Sequence, residues 1–143
     1  MHEFQQQMNS IKNQAVILDI ALGFEPEIEV PHKWGLLDRY TQSGFSYVGL
    51  AIAGEFTSLE TTIRYMARHR AKIQSEPNKY IFVEKAEDIL TAKQQNKLAL
   101  GFWLQGANPL ANDINMVETY YKLGVRSILL SYNTRNAMGE WYC

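Results

Sequence analysis

The chain alternates short, almost wholly apolar runs with segments in which apolar residues recur at helical spacing. The first run covers 15–20 (AVILDI), the second 47–53 (YVGLAIA) and the third 97–104 (KLALGFWL). Continuous apolar runs of this length are typical of strands that are buried on both faces. The alternation therefore predicts a parallel α/β sheet in which right-handed crossovers carry the helices.

Helices are predicted between these strands, over 34–42, from Ser58 to about Gln74, over 86–96 and over 113–123. Ser58 and Asp113 offer side-chain oxygens to early helical amides. Gly44 and Gly124 are suited to end helices. Shorter strands at 80–83 and 125–130 complete a pattern that fits either a doubly wound sheet or a barrel. No G-x-G-x-x-G motif follows the first strand.

Size and charge exclude several classes of function. The 143 residues suit one domain, 1–143. A net charge of −1 gives no basic field for nucleic acid or an anionic membrane. No apolar run is long enough to span a membrane, and the opening residues lack the apolar core of a secretory signal. With Cys143 as the single cysteine, these features favour a cytoplasmic protein.

A resemblance to a known family rests on the segment 98–133, LALGFWLQGANPLANDINMVETYYKLGVRSILLSYN. It resembles the strand, acidic turn, helix and "LGVR" strand of the membrane (renal-type) dipeptidase family. The preceding stretch 80–100 (YIFVEKAEDILTAKQQNKLAL) and the opening strand 16–24 (VILDIALGF) resemble that family in the same order. The block 123–126 is the most specific part.

The resemblance implies a fold, a cofactor and a reaction. It implies a TIM-type (β/α) barrel, of which this chain supplies only the first half, about four β/α units. It also implies zinc as cofactor, bound in a binuclear site at the carboxyl-end rim. The implied reaction is hydrolysis of a dipeptide, or of another small-molecule substrate, by metal-activated water.

The chain departs from the family at the implied ligand positions. The family's Asp-x-His-x-Asp motif reads Asp19-Ile20-Ala21-Leu22-Gly23 here, and only the first aspartate, which is not a ligand, remains. The bridging glutamate of the family falls at Gln105. A glutamine offers a neutral carbonyl oxygen and cannot compensate two dications. The chain is therefore expected to bind zinc poorly and to be weakly active or inactive alone.

Several polar residues are candidates for the rim of the barrel. Gln105 is the candidate catalytic position, and Asn108, Tyr132, Asn133 and Arg135 are candidate substrate contacts. By the resemblance, Asn108 and Tyr132 stand where histidines occur in the family, while Arg135 suits a substrate carboxylate. The alternative for Gln105 and Asn108 is that they are simply polar residues of turns.

Asp19 is a further candidate, as a carboxylate that orients the rim. The alternative is an aspartate that bonds to neighbouring backbone. Glu55, just after the second strand, is expected to be solvated. His69 lies between two arginines and is also expected on a solvated face.

Other prominent side chains are expected to be structural. Trp103, Tyr120 and Tyr121 are expected to pack in the core or against helices. Arg126 opens the last strand, at the end opposite the rim, and is expected to form structural pairs.

Two functions and one mode of association follow from these expectations. The first function is that of a dipeptidase-type metallohydrolase, and the second is that of a non-catalytic small-molecule-binding or scaffold homologue. A truncated reading frame is the third possibility. Because half a barrel leaves strand edges open, the chain is expected to form a homodimer or to need the missing barrel half.

Overall fold

The apolar runs form strands that lie side by side and point the same way. The computed structural model describes residues 2–23 and 31–139, so that Pro26 and Cys143 lie outside the described residues. The strands are β1 (Leu18–Leu22), β2 (Tyr47–Ala53), β3 (Tyr80–Phe82), β4 (Leu98–Leu104) and β5 (Val125–Ile128). The helices are α1 (His2–Gln14), α2 (Pro31–Gln42), α3 (Leu59–Ser75), α4 (Ala86–Gln94) and α5 (Met116–Leu123), with one 3-10 turn at Asn108–Leu110. Within these ranges no helix is both long and apolar enough to cross a membrane.

Strand pairing defines half of a barrel. β2 lies between β1 and β4, and all pairings are parallel. β3 pairs with Leu98–Leu100 in the first half of β4, and β5 pairs with Phe102–Leu104 in the second half. β1, β2, β4 and β5 are thus four successive barrel strands, and β3 is a short extra strand at their amino ends. The predicted fold class, a parallel half-barrel of TIM type, is confirmed.

β2 and β4 are buried along their whole length, as their apolar runs predict. Alternate side chains point to opposite faces of the sheet. Leu50 belongs to the main core together with Leu37 of α2 and Met66 of α3. Tyr47 and Ala99 lie on the other side, which we call the inner face. Helices α2 and α3 therefore form the outer layer of the half-barrel.

Helix α4 covers the amino end of the inner face. Its residues Ile89 and Ala92 pack against Tyr47 and Ala99. The reason lies in the strand order, because the chain moves back from β3 to β4 after moving outward from β2 to β3. A right-handed crossover in the reverse direction places its helix on the opposite face of the sheet.

The prediction that the first strand is buried on both faces is wrong. Leu18 is 47% exposed and Ile20 is 60% exposed. Among residues 2–23 and 31–139, β1 pairs only with β2, and nothing in these ranges pairs with its other edge. With Tyr47, these two residues help to line an open apolar cavity of about 410 Å³ on the inner face. β1 thus has the apolar composition of a barrel strand but is exposed, because it pairs with one neighbour among the described strands.

Three predicted helix boundaries are confirmed. The Ser58 hydroxyl accepts a hydrogen bond from the Thr61 amide at 3.2 Å, which caps α3. Gly44 and Gly124 have φ of +86° and +108° beyond the last turns of α2 and α5. These positive φ values favour glycine, since it lacks a Cβ.

The last predicted helix and strand are shorter than expected. Helix α5 begins at Met116, because the Asp113 carboxylate caps the preceding turn by accepting from the Asn115 amide at 2.9 Å. β5 ends at Ile128, two residues early. Tyr120 is buried as predicted, whereas Tyr121 is 58% exposed, which excludes the core placement of the two that were expected for it.

The expectation that His69 faces solvent is also wrong. His69 is 0% exposed, and it belongs to the buried stripe of α3 at 62, 66, 69 and 73. Its Nδ1 donates to the Tyr65 carbonyl at 2.9 Å, and its ring centroid lies 5.7 Å from that of Trp34. Burial lowers the pKa of His69, because the interior disfavours the charged imidazolium. The burial of His69 therefore follows from its place in the helical repeat and not from the charge of its two neighbouring arginines.

Candidate functional site

The loops that follow β2, β4 and β5 meet at the carboxyl ends of the strands. The Gln105 amide donates to the Ala53 carbonyl at 2.7 Å, and the Leu129 amide donates to the Leu104 carbonyl at 2.9 Å. These bonds extend the strand pairing beyond the ends of β2 and β5. We call the region where the three loops meet the mouth. It is where parallel α/β folds place their sites.

Gln105 lies at the centre of this arrangement. It follows β4 and is half-buried. By strand alternation its side chain lies on the same side as Trp103, on the inner face. The Trp103 indole N–H donates to the Leu22 carbonyl at 3.1 Å, which ties the end of β1 to the end of β4. Gly23, next to Leu22, is therefore brought toward the strand that leads to Gln105.

The Glu55 carboxylate connects the loops after β2 and β5. It is 7% exposed, so the expectation of a solvated side chain is wrong. Its Oε1 accepts from the Asn133 amide, from the Thr134 amide at 2.7 Å and from the Thr134 hydroxyl at 3.1 Å. The sequence signal was an acidic residue directly after a buried strand, and nothing local in the sequence marked Thr134 as its partner.

Hydrogen bonds keep Glu55 ionised. Burial by itself raises the pKa of this carboxyl group, but the backbone and side-chain donors of Thr134 and the backbone amides of Asn133 and Tyr132 outweigh it. The net effect is a pKa below the usual value of 4.5. A carboxylate that accepts several amide hydrogen bonds is stabilised in its charged form.

Asn108 joins the loop after β4 to the same point. Its side-chain amide donates to the Glu55 carbonyl. Gly106 passes directly over Glu55, since a Cβ at this glycine would lie 3.4 Å from the Glu55 Cα. The structure therefore brings Gln105 and Asn108 to the same end of the sheet as Asn133.

The remaining candidates after β5 are exposed. Tyr132, Asn133 and Arg135 all present solvent-accessible side chains. Asn136 closes the loop that contains these residues, because its side-chain amide donates to the Leu130 carbonyl at 2.7 Å. These residues follow directly on the part of the chain that Glu55 binds.

Asp19 does not lie at the mouth. It pairs with Val48 near the start of β2, several residues before Glu55. The last residue of β2, Ala53, lies five residues beyond Val48, which at about 3.3 Å per residue is roughly 17 Å along the sheet. Its carboxylate accepts from the Tyr40 hydroxyl at 2.8 Å and from the Ala21 amide at 3.1 Å. Burial and the Asp19 carboxylate raise the pKa of Tyr40 to about 12. Asp19 thus links β1 to α2.

Arg126 makes structural contacts, as its position at the start of β5 indicates. Its guanidinium donates to the Tyr121 carbonyl at 2.8 Å and to the Glu84 carbonyl at 2.7 Å. It also lies 4.5 Å from the centroid of the Tyr121 ring. Tyr121 thus packs against the Arg126 guanidinium although its ring is largely exposed.

The donor set at the mouth does not match a pair of zinc ions. Among residues 2–23 and 31–139, no group of three or more His, Cys, Asp or Glu side chains is placed to hold a metal ion. Ala21 and Gly23 have no donor atoms in their side chains, and Gln105 is neutral. Glu55 is already occupied by three hydrogen-bond donors of the loop after β5.

A parallel half-barrel with a polar mouth at the carboxyl ends of its strands defines the fold class as TIM-type. Residues 40–142 match the sequence profile of the membrane dipeptidase family, peptidase family M19. The chain belongs to this family. Members of the family are generally metal-dependent. No curated protein sequence matches the chain.

The chain spans less than two fifths of the length of two solved structures that superpose on it. An amidohydrolase from Pseudomonas aeruginosa superposes with a TM-score of 0.78 at 19% sequence identity, covering 90% of this chain and 38% of that protein. The probable dipeptidase PvdM from Pseudomonas aeruginosa superposes with a TM-score of 0.76 at 15% identity, covering 92% of this chain and 38% of that protein. At these identities the likeness shows the fold.

Proposed function

We propose that the chain is part of a dipeptidase-type hydrolase and that its mouth binds a dipeptide or a related small amide. The observation that carries the proposal is the set of hydrogen bonds from Asn133 and Thr134 to Glu55. They join the ends of β2 and β5, so that Gln105 and Tyr132 share one rim. Membership of the dipeptidase family supports a peptide-like ligand.

The side chains at the mouth have the chemistry that a dipeptide needs. The Gln105 amide both donates and accepts, as a substrate peptide group requires. The Tyr132 hydroxyl and the Asn133 amide offer the same two capacities. The guanidinium of Arg135 is suited to the terminal carboxylate of a dipeptide.

Hydrolysis needs more than these residues provide. When bound, the metal of the family supplies a water that is activated for attack on the peptide carbonyl. Ala21, Gly23 and Gln105 do not fit such a metal pair, since together they offer one neutral oxygen. We therefore propose that the described half of the barrel is weakly active or inactive alone. Full activity would require the other half, supplied by further polypeptide.

A second candidate function is favoured by the same replacements. A mouth that has amide groups where the family has a carboxylate can bind an amide ligand without turning it over. The protein would then be a non-catalytic small-molecule-binding homologue. Binding without turnover, even when the barrel is complete, distinguishes this function from the first.

Titration of the chain with Ala-Ala, followed by NMR, tests the proposed binding. We expect shifts at the amide resonances of Gln105 and Asn133, and weaker binding in the Gln105→Ala variant. Gln94→Ala, on the exposed side of α4, is the matched control and should bind as the unaltered chain does. Release of free alanine, with and without added zinc, measures turnover. Absence of any shift would exclude a dipeptide site on this half, and fast turnover by the chain alone would exclude the proposed dependence on a second half.

A further inference from the structure

The contacts of Glu55 go beyond a single loop. Its carboxylate accepts from Asn133 and Thr134 in the segment after β5, and its carbonyl accepts from Asn108 in the segment after β4. Glu55 itself follows β2. One buried residue therefore joins the three segments that form the mouth.

The donors around the carboxylate are uncharged. They are the backbone amides of 132–134 and the Thr134 hydroxyl. The bonds from Asn133 and Thr134 all go to Oε1, so a Gln at this position could keep an oxygen there but would lose the negative charge. The charge also makes these hydrogen bonds stronger than neutral ones.

We propose that Glu55 is a positioning residue of the mouth, which holds segment 132–134 so that Tyr132 and Asn133 face the ligand beside Gln105. The ligand part of this inference rests on the proposed function. The structural part does not, since it concerns only whether Glu55 holds segment 132–134 in place. The Glu55 carboxylate thus holds the mouth together by accepting hydrogen bonds from backbone amides.

Hydrogen exchange of backbone amides tests the structural part. In Glu55→Gln we expect the amides of Asn133 and Thr134 to exchange roughly tenfold faster or more. Amides of β2 and β4, such as that of Leu100, should change far less. Glu84→Gln is the matched control, because Glu84 is an exposed carboxylate that pairs with Arg70 at 3.0 Å. Unchanged protection of Asn133 and Thr134 in Glu55→Gln would overturn the proposal.

A pH profile of the unaltered chain gives a second readout, which stands even where Glu55→Gln does not fold. After correction for intrinsic exchange, protection of Asn133 and Thr134 should be lost as the pH falls through the lowered pKa of Glu55, below about 4.5. The core amide of Leu100 should lose protection only at lower pH. Simultaneous loss at both places, or protection that persists when the carboxylate is protonated, would contradict the role of Glu55.

Ligand binding separates this inference from the proposed function. If the mouth binds Ala-Ala, Glu55→Gln should weaken binding while Glu84→Gln does not. If exchange responds to Glu55 as expected but no variant binds Ala-Ala, the positioning role holds and the dipeptide function is wrong. If Ala-Ala binds equally well to Glu55→Gln, the positioning role is wrong and the function stands.

Discussion

The ring of Tyr47 occupies the space above Gly101 on the inner face. A Cβ built at Gly101 would lie 2.5 Å from the Tyr47 Oη and 3.0 Å from its Cε2. Tyr47 opens β2 and Gly101 lies in the middle of β4, so the ring crosses between the two buried strands. A glycine here lets a large side chain fill the inside of the half-barrel.

Gly101→Ala is expected to destabilise the protein by about 1–3 kcal/mol, because the added methyl group overpacks the inner face. Urea denaturation measures the change in the free energy of unfolding. Gly54→Ala is the control, since a Cβ at Gly54 meets nothing within 4 Å. Removing the hydroxyl with Tyr47→Phe should recover part of the loss in the double variant. Equal stability of Gly101→Ala and Gly54→Ala would contradict the contact.

The sequence allowed most of the fold to be predicted, because β2, β4 and the helices between them obey simple periodicity. The error at β1 has a physical cause. β1 has the apolar composition of a strand with neighbours on both sides. Its local sequence does not show which of those neighbours are present. Ile20 is therefore exposed although its composition is that of a core residue.

The mouth was predictable in part. The positions of Gln105 and Tyr132 follow from the rule that parallel strands bring their carboxyl ends together. The burial of Glu55 did not follow, since it depends on Thr134, which lies 79 residues away in the sequence. Of the two roles considered for Asp19, the bond to neighbouring backbone is the one observed, since its carboxylate accepts from the Ala21 amide.

The buried His69 predicts a loss of stability in mild acid. Its folded-state pKa is lowered below 6.5, so the unfolded chain binds more protons than the folded protein between the two values. The stabilisation is complete above about pH 6.5 and is lost as the pH falls toward the folded pKa. The free energy of unfolding should decrease by at most about 1.4 kcal/mol per pH unit from this group.

His69→Leu should flatten this dependence below about pH 6.5, since leucine does not titrate. Glu76→Gln is a useful comparison. The pKa of Glu76 is lowered chiefly by its hydrogen bond from Lys72, so its contribution is lost only below about pH 4.5. A slope that is the same in His69→Leu and in the unaltered chain would show that His69 does not stay neutral in the folded protein.

The two open edges of the sheet predict self-association. In the part of the chain that the structure describes, β1 pairs only with β2 and β5 only with β4, and Leu18, Ile20 and Leu130 are exposed. A two-fold axis along the barrel axis would place β5 of each copy beside β1 of the other, giving eight barrel strands, four from each copy. Light scattering of the 143-residue chain should therefore report a dimer.

Ile20→Lys should shift this equilibrium to the monomer, because a charged side chain blocks an open strand edge. Phe56→Lys, at a residue that is 88% exposed and lies outside the strands, is the control for added charge. A compact monomer of the unaltered chain, stable at high concentration, would contradict the association. The inner face would then require the later strands of a longer polypeptide.

Restoring the ligand side chains of the family should create zinc affinity at the mouth. A side chain at Gly23 meets nothing within 4 Å, Ala21 is exposed, and the bond from Trp103 to the Leu22 carbonyl draws both toward the end of β4. The triple variant Ala21→His, Gly23→Asp and Gln105→Glu adds one imidazole and two carboxylates, which are donors that zinc prefers. In equilibrium dialysis we expect zinc binding roughly tenfold tighter or more than that of the unaltered chain, since each carboxylate contributes charge as well as an oxygen.

Ala21→Gln with Gly23→Asn matches two of the added side chains in size without charge and should bind no more zinc than the unaltered chain. Equal binding by the triple variant and this control would mean that the three positions do not converge, and the assignment of Gln105 to the bridging position would be wrong.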